Sequence, residues 1–333
     1  MKIQINLGDS SYDILVESGC LAKAGENLNL NRKVFVLTDS GVPKKYAKAV
    51  AKQAQKGFVY IIDEGEESKS FTTLQKVLEK MLEKGLSRKD CVVAVGGGVV
   101  GDLAGFAASI YMRGIDFYNI PTTLLSQIDS SIGGKTAINF GGVKNIVGAF
   151  YQPKMVLIDP DLLKTLPERQ VSNGLAEAVK MSLTSDKELF ELIENGNTEE
   201  NLEEIIIRSL NIKKNVVEQD EKESGLRKVL NFGHTIGHGI EVTTDLYHGE
   251  SVALGMLPLC DEKIRQRVIE TLKKLGLYSN LKLEWKKIEK IVCHDKKAND
   301  KTVSAVYVEN IGSFKIKDTE TKELILLAKK VLN

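Results

Sequence analysis

The sequence predicts an α/β N-terminal domain with a doubly wound parallel sheet, a Rossmann-like variant, followed by a mainly α-helical C-terminal domain. Three observations carry that expectation. Short β-branched runs alternate with helix-periodic stretches through the first half, a glycine-rich turn directly follows one of those runs, and beyond Pro160 strand-like runs almost vanish. Strands alternating with helices imply parallel βαβ units, whose sheets bind ligands at the carboxyl ends of their strands.

In chain order, residues 33–37, 57–62, 91–95, 117–120 and 155–158 are the expected strands. Apolar residues at helical spacing over 42–55 and 71–84, the second closed by Gly85, are the expected connecting helices. Beyond Pro160 long helical patterns cover 171–184, 199–220 and 251–274. Pro258 should kink or break the last, since proline removes a backbone donor and clashes with the preceding turn. Residues 302–308 and 313–316 suggest a small hairpin. Two domains are therefore expected, over 1–160 and 161–333.

Across 333 residues, 42% hydrophobic and 27% charged content is ordinary globular composition with room for two cores. Net charge is +1 and the basic residues form scattered pairs such as Lys213-Lys214 and Lys273-Lys274, so no nucleic-acid footprint is expected. No apolar run approaches the roughly 20 residues of a membrane helix, so no membrane partner is expected either. Cys20, Cys91, Cys260 and Cys293 form no C-x-x-C, and the opening residues carry no apolar signal segment, which fits a reducing cytoplasm.

Three of the four histidines lie in the run 230–241 and in His248-Gly249-Glu250 just after it. His234 and His238, at i and i+4, share one helix face about 6 Å apart, and neutral imidazole is the commonest metal ligand. A divalent metal site with His248 in the following loop is the first hypothesis. Thr235 stands where the zincin motif needs its glutamate, which argues against a zinc protease.

The strand-like run 91–95 leads into Gly96-Gly97-Gly98-Val99-Val100-Gly101-Asp102, a G-x-G-x-x-G match. Glycines there let a pyrophosphate approach the backbone, and the helix beyond offers free N–H groups, so dinucleotide binding is favoured. The turn follows at least two βα units, unlike the usual fingerprint, which makes the fold a variant. Ser131-Ile132-Gly133-Gly134-Lys135-Thr136 imitates a P-loop but has Asp129 where that pattern needs glycine, so a triphosphate site is rejected. Arg113, Lys135, Lys144, Lys180, Lys213 and Arg227 sit in or beside such motifs and suit a phosphorylated substrate.

Glu66-Glu67-Ser68-Lys69-Ser70, the 96–102 turn, Arg113-Gly114, the run 121–136, Gly174-Leu175-Ala176-Glu177-Ala178-Val179-Lys180, Leu226-Arg227, the run 230–241 and His248-Gly249-Glu250 follow one another in order. Together they resemble the 3-dehydroquinate synthase family of sugar-phosphate cyclases over most of the chain. The resemblance implies an NAD-binding domain over 1–160 and a metal- and substrate-binding domain over 161–333. It implies a zinc ion, or cobalt or another divalent metal, on Glu177, His234 and His248, with His238 not a ligand. The implied NAD contacts are Asp39, Glu66, Lys69, Gly97, Gly98, Asp102, Thr122, Thr123, Lys135, Lys144 and Thr165. The implied substrate and catalytic residues are Asp129, Lys135, Asn145, Lys180, Lys213, Glu223, Arg227, Asn231, His238 and one of Lys296 and Lys297, with Arg113 reaching across a homodimer interface.

The implied reaction converts 3-deoxy-D-arabino-heptulosonate 7-phosphate to 3-dehydroquinate and phosphate, with NAD reduced and then reoxidised within one turnover. A metal-dependent polyol or glycerol-phosphate dehydrogenase would share the glycine turn and a metal-binding helical domain. Other sugar-phosphate cyclases would share more, but Asn231 with Gly237-His238 favours the dehydroquinate branch.

Overall fold

The structure, a computed structural model, describes residues 1–279, 281–294 and 302–332. The chain divides into two compact units, 1–167 and 168–333. The first holds β1 (Lys2–Ile5), β2 (Tyr12–Val16), α1 (Ala24–Asn27), β3 (Lys33–Asp39), α2 (Lys44–Lys52), β4 (Lys56–Ile62), α3 (Phe71–Glu83), β5 (Cys91–Gly96), α4 (Gly98–Ile110), β6 (Asp116–Pro121), β7 (Lys135–Phe140), β8 (Val143–Phe150) and β9 (Met155–Ile158). Seven of these strands form one sheet in the order β1-β2-β9-β6-β5-β3-β4. Only the edge pair β1–β2 is antiparallel.

Successive side chains of a strand point to opposite faces, and the central strands are apolar on both. Val34, Val36, Val93 and Val95 pack with Tyr46, Ala47 and Val50 of α2. Phe35, Leu37, Val92 and Ala94 pack on the other face with Leu74, Val77 and Met81 of α3 and Leu103, Ala104 and Ala107 of α4. The helix after β3 thus covers one face and the helix after the neighbouring β5 covers the other. That reversal opens a crevice at the carboxyl ends of β3 and β5, where doubly wound sheets take their ligands.

Two features go beyond the sequence reading. β1 and β2 extend the sheet through four- and five-residue strands that alternate buried and more exposed positions. β7 and β8 form a separate antiparallel hairpin turned by Gly141 and Gly142, both at positive φ, and β7 lies against α4 with Thr136 filling the space a side chain at Gly105 would need.

The second unit contains α5 (Glu168–Ser185), α6 (Lys187–Glu194), α7 (Leu202–Gln219), α8 (His234–Thr243), α9 (His248–Met256), α10 (Glu262–Lys274), α11 (Trp285–His294), the antiparallel pair β10 (Thr302–Tyr307) and β11 (Lys315–Glu320), and α12 (Thr321–Leu332). The break expected at Pro258 is present, as a short 3-10 turn over Leu257–Leu259 between α9 and α10. His248, expected in a loop, instead opens α9. α6, α11 and α12 were not anticipated; α6 is started by Asp186, whose side chain accepts from Leu189 N.

α9 lies at backbone contact with its neighbours. A Cβ on Gly249 would stand 2.1 Å from Asn173 O in α5, and one on Gly255 would stand 2.1 Å from Gly233 O at the start of α8. Only glycine permits such approach, and it holds three helices at the spacing their polar side chains require.

Candidate metal centre and cofactor crevice

α5 is buried along most of its length, and Glu177 on it is wholly inaccessible to solvent. Its Oε1 accepts no hydrogen bond and stands 3.7 Å from both His234 Nε2 and His248 Nε2. Oε2 pairs with the Lys180 ammonium, which also donates to Leu230 O at 2.6 Å. One ligand atom from each of Glu177, His234 and His248 falls within a common 4.8 Å.

The outer ring nitrogens fix the tautomers. His234 Nδ1 lies 3.2 Å from the Phe232 carbonyl, and His248 Nδ1 lies 3.0 Å from Glu241 Oε2. Both partners only accept, so each Nδ1 carries the proton and each Nε2 lone pair faces Glu177. Burial, reinforced by the Lys180 charge, pushes His234 well below the usual imidazole range and keeps it neutral. Burial also acts against the charged form of His248, but Glu241 and Glu177 outweigh it and raise that imidazole. A buried carboxylate costs several kcal/mol unless its charge is matched. One anionic oxygen and two aimed imidazoles match a divalent ion with coordination positions left open.

His238 is exposed on the same helix face, its ring centroid 5.5 Å from that of His234 and 6.0 Å from that of His248. Lys213 on α7 and Arg227 are buried. The loop from 220 to 231 is built on Asp220, whose carboxylate accepts from the backbone N–H of Arg227, Gly225 and Ser224. Those bonds, that of Arg227 foremost, hold Asp220 far below the usual carboxylate range. Within this loop Asn231 donates to Glu223 Oε1 at 2.6 Å, and Glu223 adopts φ of 61°.

In the first unit, Gly97 caps α4 without a side-chain hydrogen bond, leaving the first N–H groups of the helix open at the crevice. A Cβ on Gly97 would stand 3.1 Å from Thr123 Cγ2 and one on Gly98 3.0 Å from Ser130 Oγ, so Thr123 and Ser130 pack closely against a backbone turn that leaves little room for side chains. Asp39 ends β3 and accepts from Gly41 and Val42 N–H at 2.9 and 3.1 Å, while burial pushes its carboxyl up. Thr122 follows β6 and donates its N–H to Gly96 O. Thr165 hydrogen-bonds Tyr46 across 3.0 Å.

Lys69, 4% exposed, donates to Asp102 at 2.6 Å and to Asn145 Oδ1, and stands 3.7 Å from Glu66. Asp102, Lys135 and Asn145 line one cavity of about 410 Å³. Asp129 lies in a single π-turn over Ser126–Ser130, and Lys135 opens the strand β7, which gives a physical reason against the P-loop reading: a P-loop leads into a helix, not a strand. Lys144 is exposed on β8. Arg113 is exposed, and Met112, Arg113 and Gly114 all have positive φ, a left-handed excursion costing roughly 1–2 kcal/mol at each of the two non-glycine positions. Lys296 and Lys297 lie outside the described residues.

Several side chains that hold these groups in place had no counterpart in the sequence reading. Asn139 holds Glu66 Oε1 through Nδ2 at 2.9 Å and Asn145 N through Oδ1 at 2.8 Å. Arg169 grips Glu250 with two hydrogen bonds of 2.7 and 2.8 Å and stacks on Tyr247, and Glu250 accepts from Tyr247 N, so the first turn of α9 is clasped to α5. Asn173 Oδ1 accepts from Gly249 N in the same place. Glu241 was legible in principle, because it follows His234 by seven positions on one helix face; the other partners had no local signal.

Residues 59–173 match the family described as 3-dehydroquinate synthase N-terminal, and residues 174–298 match 3-dehydroquinate synthase C-terminal. The chain is 44% identical over 351 aligned residues to the 3-dehydroquinate synthase of Streptococcus pneumoniae (strain Hungary19A-6), covering 97% of this chain and 98% of that protein. Among solved structures it resembles a 2-deoxy-scyllo-inosose synthase complexed with carbaglucose-6-phosphate, NAD+ and Co2+, with TM-score 0.90, 26% identity and 100% of both chains covered. It also resembles the 2-epi-5-epi-valiolone synthase of Streptomyces hygroscopicus subsp. jinggangensis 5008 with NAD+ and Zn2+, with TM-score 0.87, 29% identity and 98% and 97% coverage. A probable glycerol dehydrogenase from Sinorhizobium meliloti 1021 shares the fold at TM-score 0.62 and 16% identity over 95% of each chain.

Proposed function

The chain belongs to the 3-dehydroquinate synthase family, and on that premise we propose that it converts 3-deoxy-D-arabino-heptulosonate 7-phosphate to 3-dehydroquinate and phosphate, using NAD as an oxidant recovered in each turnover. The observation that carries this reading is the buried Glu177 carboxylate, with Oε1 facing two imidazole nitrogens whose outer nitrogens are already committed. Glu177, His234 and His248 would hold zinc, cobalt or another divalent ion, which when bound supplies Lewis-acid polarisation of a substrate oxygen.

The remaining roles fall to the protein's own groups. The N–H groups behind Gly97 and Gly98 take the pyrophosphate of NAD, with Asp39, Glu66, Lys69, Asp102, Thr122, Thr123, Lys144 and Thr165 around the dinucleotide. Lys135 and Asn145 hold the substrate phosphate, and Lys69 keeps Asn145 oriented. Lys180, Lys213, Asp129, Glu223, Arg227 and Asn231 orient the hydroxyl and carboxylate groups of the sugar acid. His238, exposed beside the ligand imidazoles, moves a proton at its ring nitrogen between substrate and solvent. The network around Glu66, Lys69, Asp102 and Asn139 is preorganised by its hydrogen bonds, which contributes orientation more than basicity.

Arg113, exposed on its left-handed turn, completes the site of a second copy in a homodimer. Mixed Arg113→Ala and Lys180→Ala variants should then recover part of the activity that each lacks alone, and a fully active monomer would refute the pairing. The dispersed cysteines support a cytoplasmic setting, and no helix among the described residues is long and apolar enough to cross a membrane.

The deciding experiment supplies purified protein with the heptulosonate phosphate, NAD and zinc. Phosphate should be released over many turnovers while absorbance of the reduced cofactor stays flat. Stoichiometric accumulation of NADH would point to a polyol dehydrogenase, and phosphate release from a different phosphorylated sugar alone would point to a sister cyclase.

A further inference from the structure

We infer that Glu241 is a positioning residue of the metal centre: it accepts the Nδ1 proton of His248 and so presents that imidazole's Nε2 lone pair to the ion. The inference rests on the proposed metal site and adds to it a residue that binds neither ion nor substrate.

The two imidazoles are supported differently. His234 gives its Nδ1 proton to a neutral backbone carbonyl at 3.2 Å, an acceptor set by the turn at Gly233. His248 gives its proton to a carboxylate at 3.0 Å, and both partners are largely shielded, with side-chain exposures of 30% and 15%. A charged acceptor makes a hydrogen bond about twice as strong as a neutral one and raises the basicity of the far ring nitrogen. His248 opens α9 and turns about its own side-chain bonds, whereas Glu241 sits on α8 with His234. The bond therefore locks the angle of the imidazole on one helix to the position of the other ligand helix.

An alternative arrangement is visible, because His238, Glu241 and His248 also offer ligand atoms within 4.8 Å. An imidazole whose Nδ1 carries a proton has only Nε2 to give, and that atom lies 3.7 Å from Glu177 Oε1. The geometry therefore assigns Glu241 to the proton and not to the ion.

The test titrates the metal-free full-length protein with Co2+ and reads affinity and visible absorption, which depend on coordination and not on turnover. Glu241→Ala should weaken Co2+ by about 10–100-fold, the usual effect of removing an outer partner of a ligand histidine. Glu241→Gln, whose amide oxygen still accepts the proton, should recover most of that loss and keep the parent's spectrum. Unchanged affinity in Glu241→Ala overturns the inference, as does Glu241→Gln falling as far as Glu241→Ala, which would mean direct ligation. Histidine-selective 15N NMR of the zinc-loaded parent decides the matter if a variant fails to fold: the proton of His248 must reside on Nδ1, and a proton on Nε2 overturns the proposal. A parent that binds no Co2+ brings down the metal reading itself, whereas a binding parent with an indifferent Glu241→Ala brings down only this inference.

Discussion

The glycine crevice of residues 1–167 and the histidine centre of residues 168–333 both receive charge, but they are made of different materials. The crevice is mostly backbone: strand ends, open N–H groups of α4, and glycines that keep side chains away. The centre is entirely side chain, contributed by three helices and held by carboxylate and carbonyl partners behind the ligands. Backbone sites are positioned by the sheet itself, so they tolerate changes around them as long as no Cβ intrudes. Side-chain sites depend on distances between helices, so they fail when a partner behind the ligand or a contact between helices is lost.

The largest expected effect separates the two regions. His248→Ala should lose the bound metal and reduce turnover roughly 10³-fold, the scale seen when a group stabilising developing charge is removed. Gly97→Ala, whose new Cβ meets Thr123 at 3.1 Å, should weaken NAD while metal content stays at one ion per chain. Metal analysis beside NAD titration checks both, and metal loss in Gly97→Ala would break the comparison.

Lys135→Met comes next. It keeps most of the stem and removes a charge-assisted contact worth about 1.5–3 kcal/mol, or roughly 10–150-fold in affinity. Calorimetry with a non-reactive phosphonate analogue of the substrate should show that loss with zinc retained and NAD affinity changed less. Unchanged affinity would remove Lys135 from the phosphate site.

The clasp behind His248 should act more weakly and depend on pH. Glu250 is held below the usual carboxylate range: burial works the other way, but Arg169 and the Tyr247 N–H outweigh it. A depressed folded-state value means the stabilisation is present above the unfolded value near 4.5 and is lost as pH falls through the lower folded value. Arg169 is half exposed, so the pair contributes about 0.5–1 kcal/mol at neutral pH. The melting difference between the parent and Glu250→Gln should shrink as pH is lowered from 7 through the acid range. A difference independent of pH would show that packing, and not charge, fastens α9.

The smallest effect is a predicted absence of reaction in both regions. Burial pushes the thiols of Cys20, Cys91 and Cys260 up to about 12, so none of the three offers thiolate near neutral pH. Mass spectrometry after alkylation of the folded protein should find them unmodified, with labelling only on unfolding.

The sequence by itself determined whatever depends on local chemistry. Alternation of β-branched runs with helical periods specified a doubly wound sheet, and it located five of its seven strands, because a continuous apolar run buried on both faces is visible from neighbouring residues alone. Pro258 marked a break, and the glycines of 96–98 marked a backbone turn, since each acts through its own φ and donor. β1 and β2 were invisible because four or five residues that pair at a sheet edge carry too little pattern. The hairpin of β7 and β8 begins at the last two residues of a motif read for its chemistry, and the rest of it was assigned no element. The tertiary structure brings together Glu177, His234 and His248, a set the family resemblance had implied, and it alone decided that His248 begins a helix and that Glu241 and Arg169 stand behind that helix's first turn. Those facts depend on helices meeting at Gly249 and Gly255, contacts between residues far apart in the chain, and no local period encodes how closely two distant backbones approach.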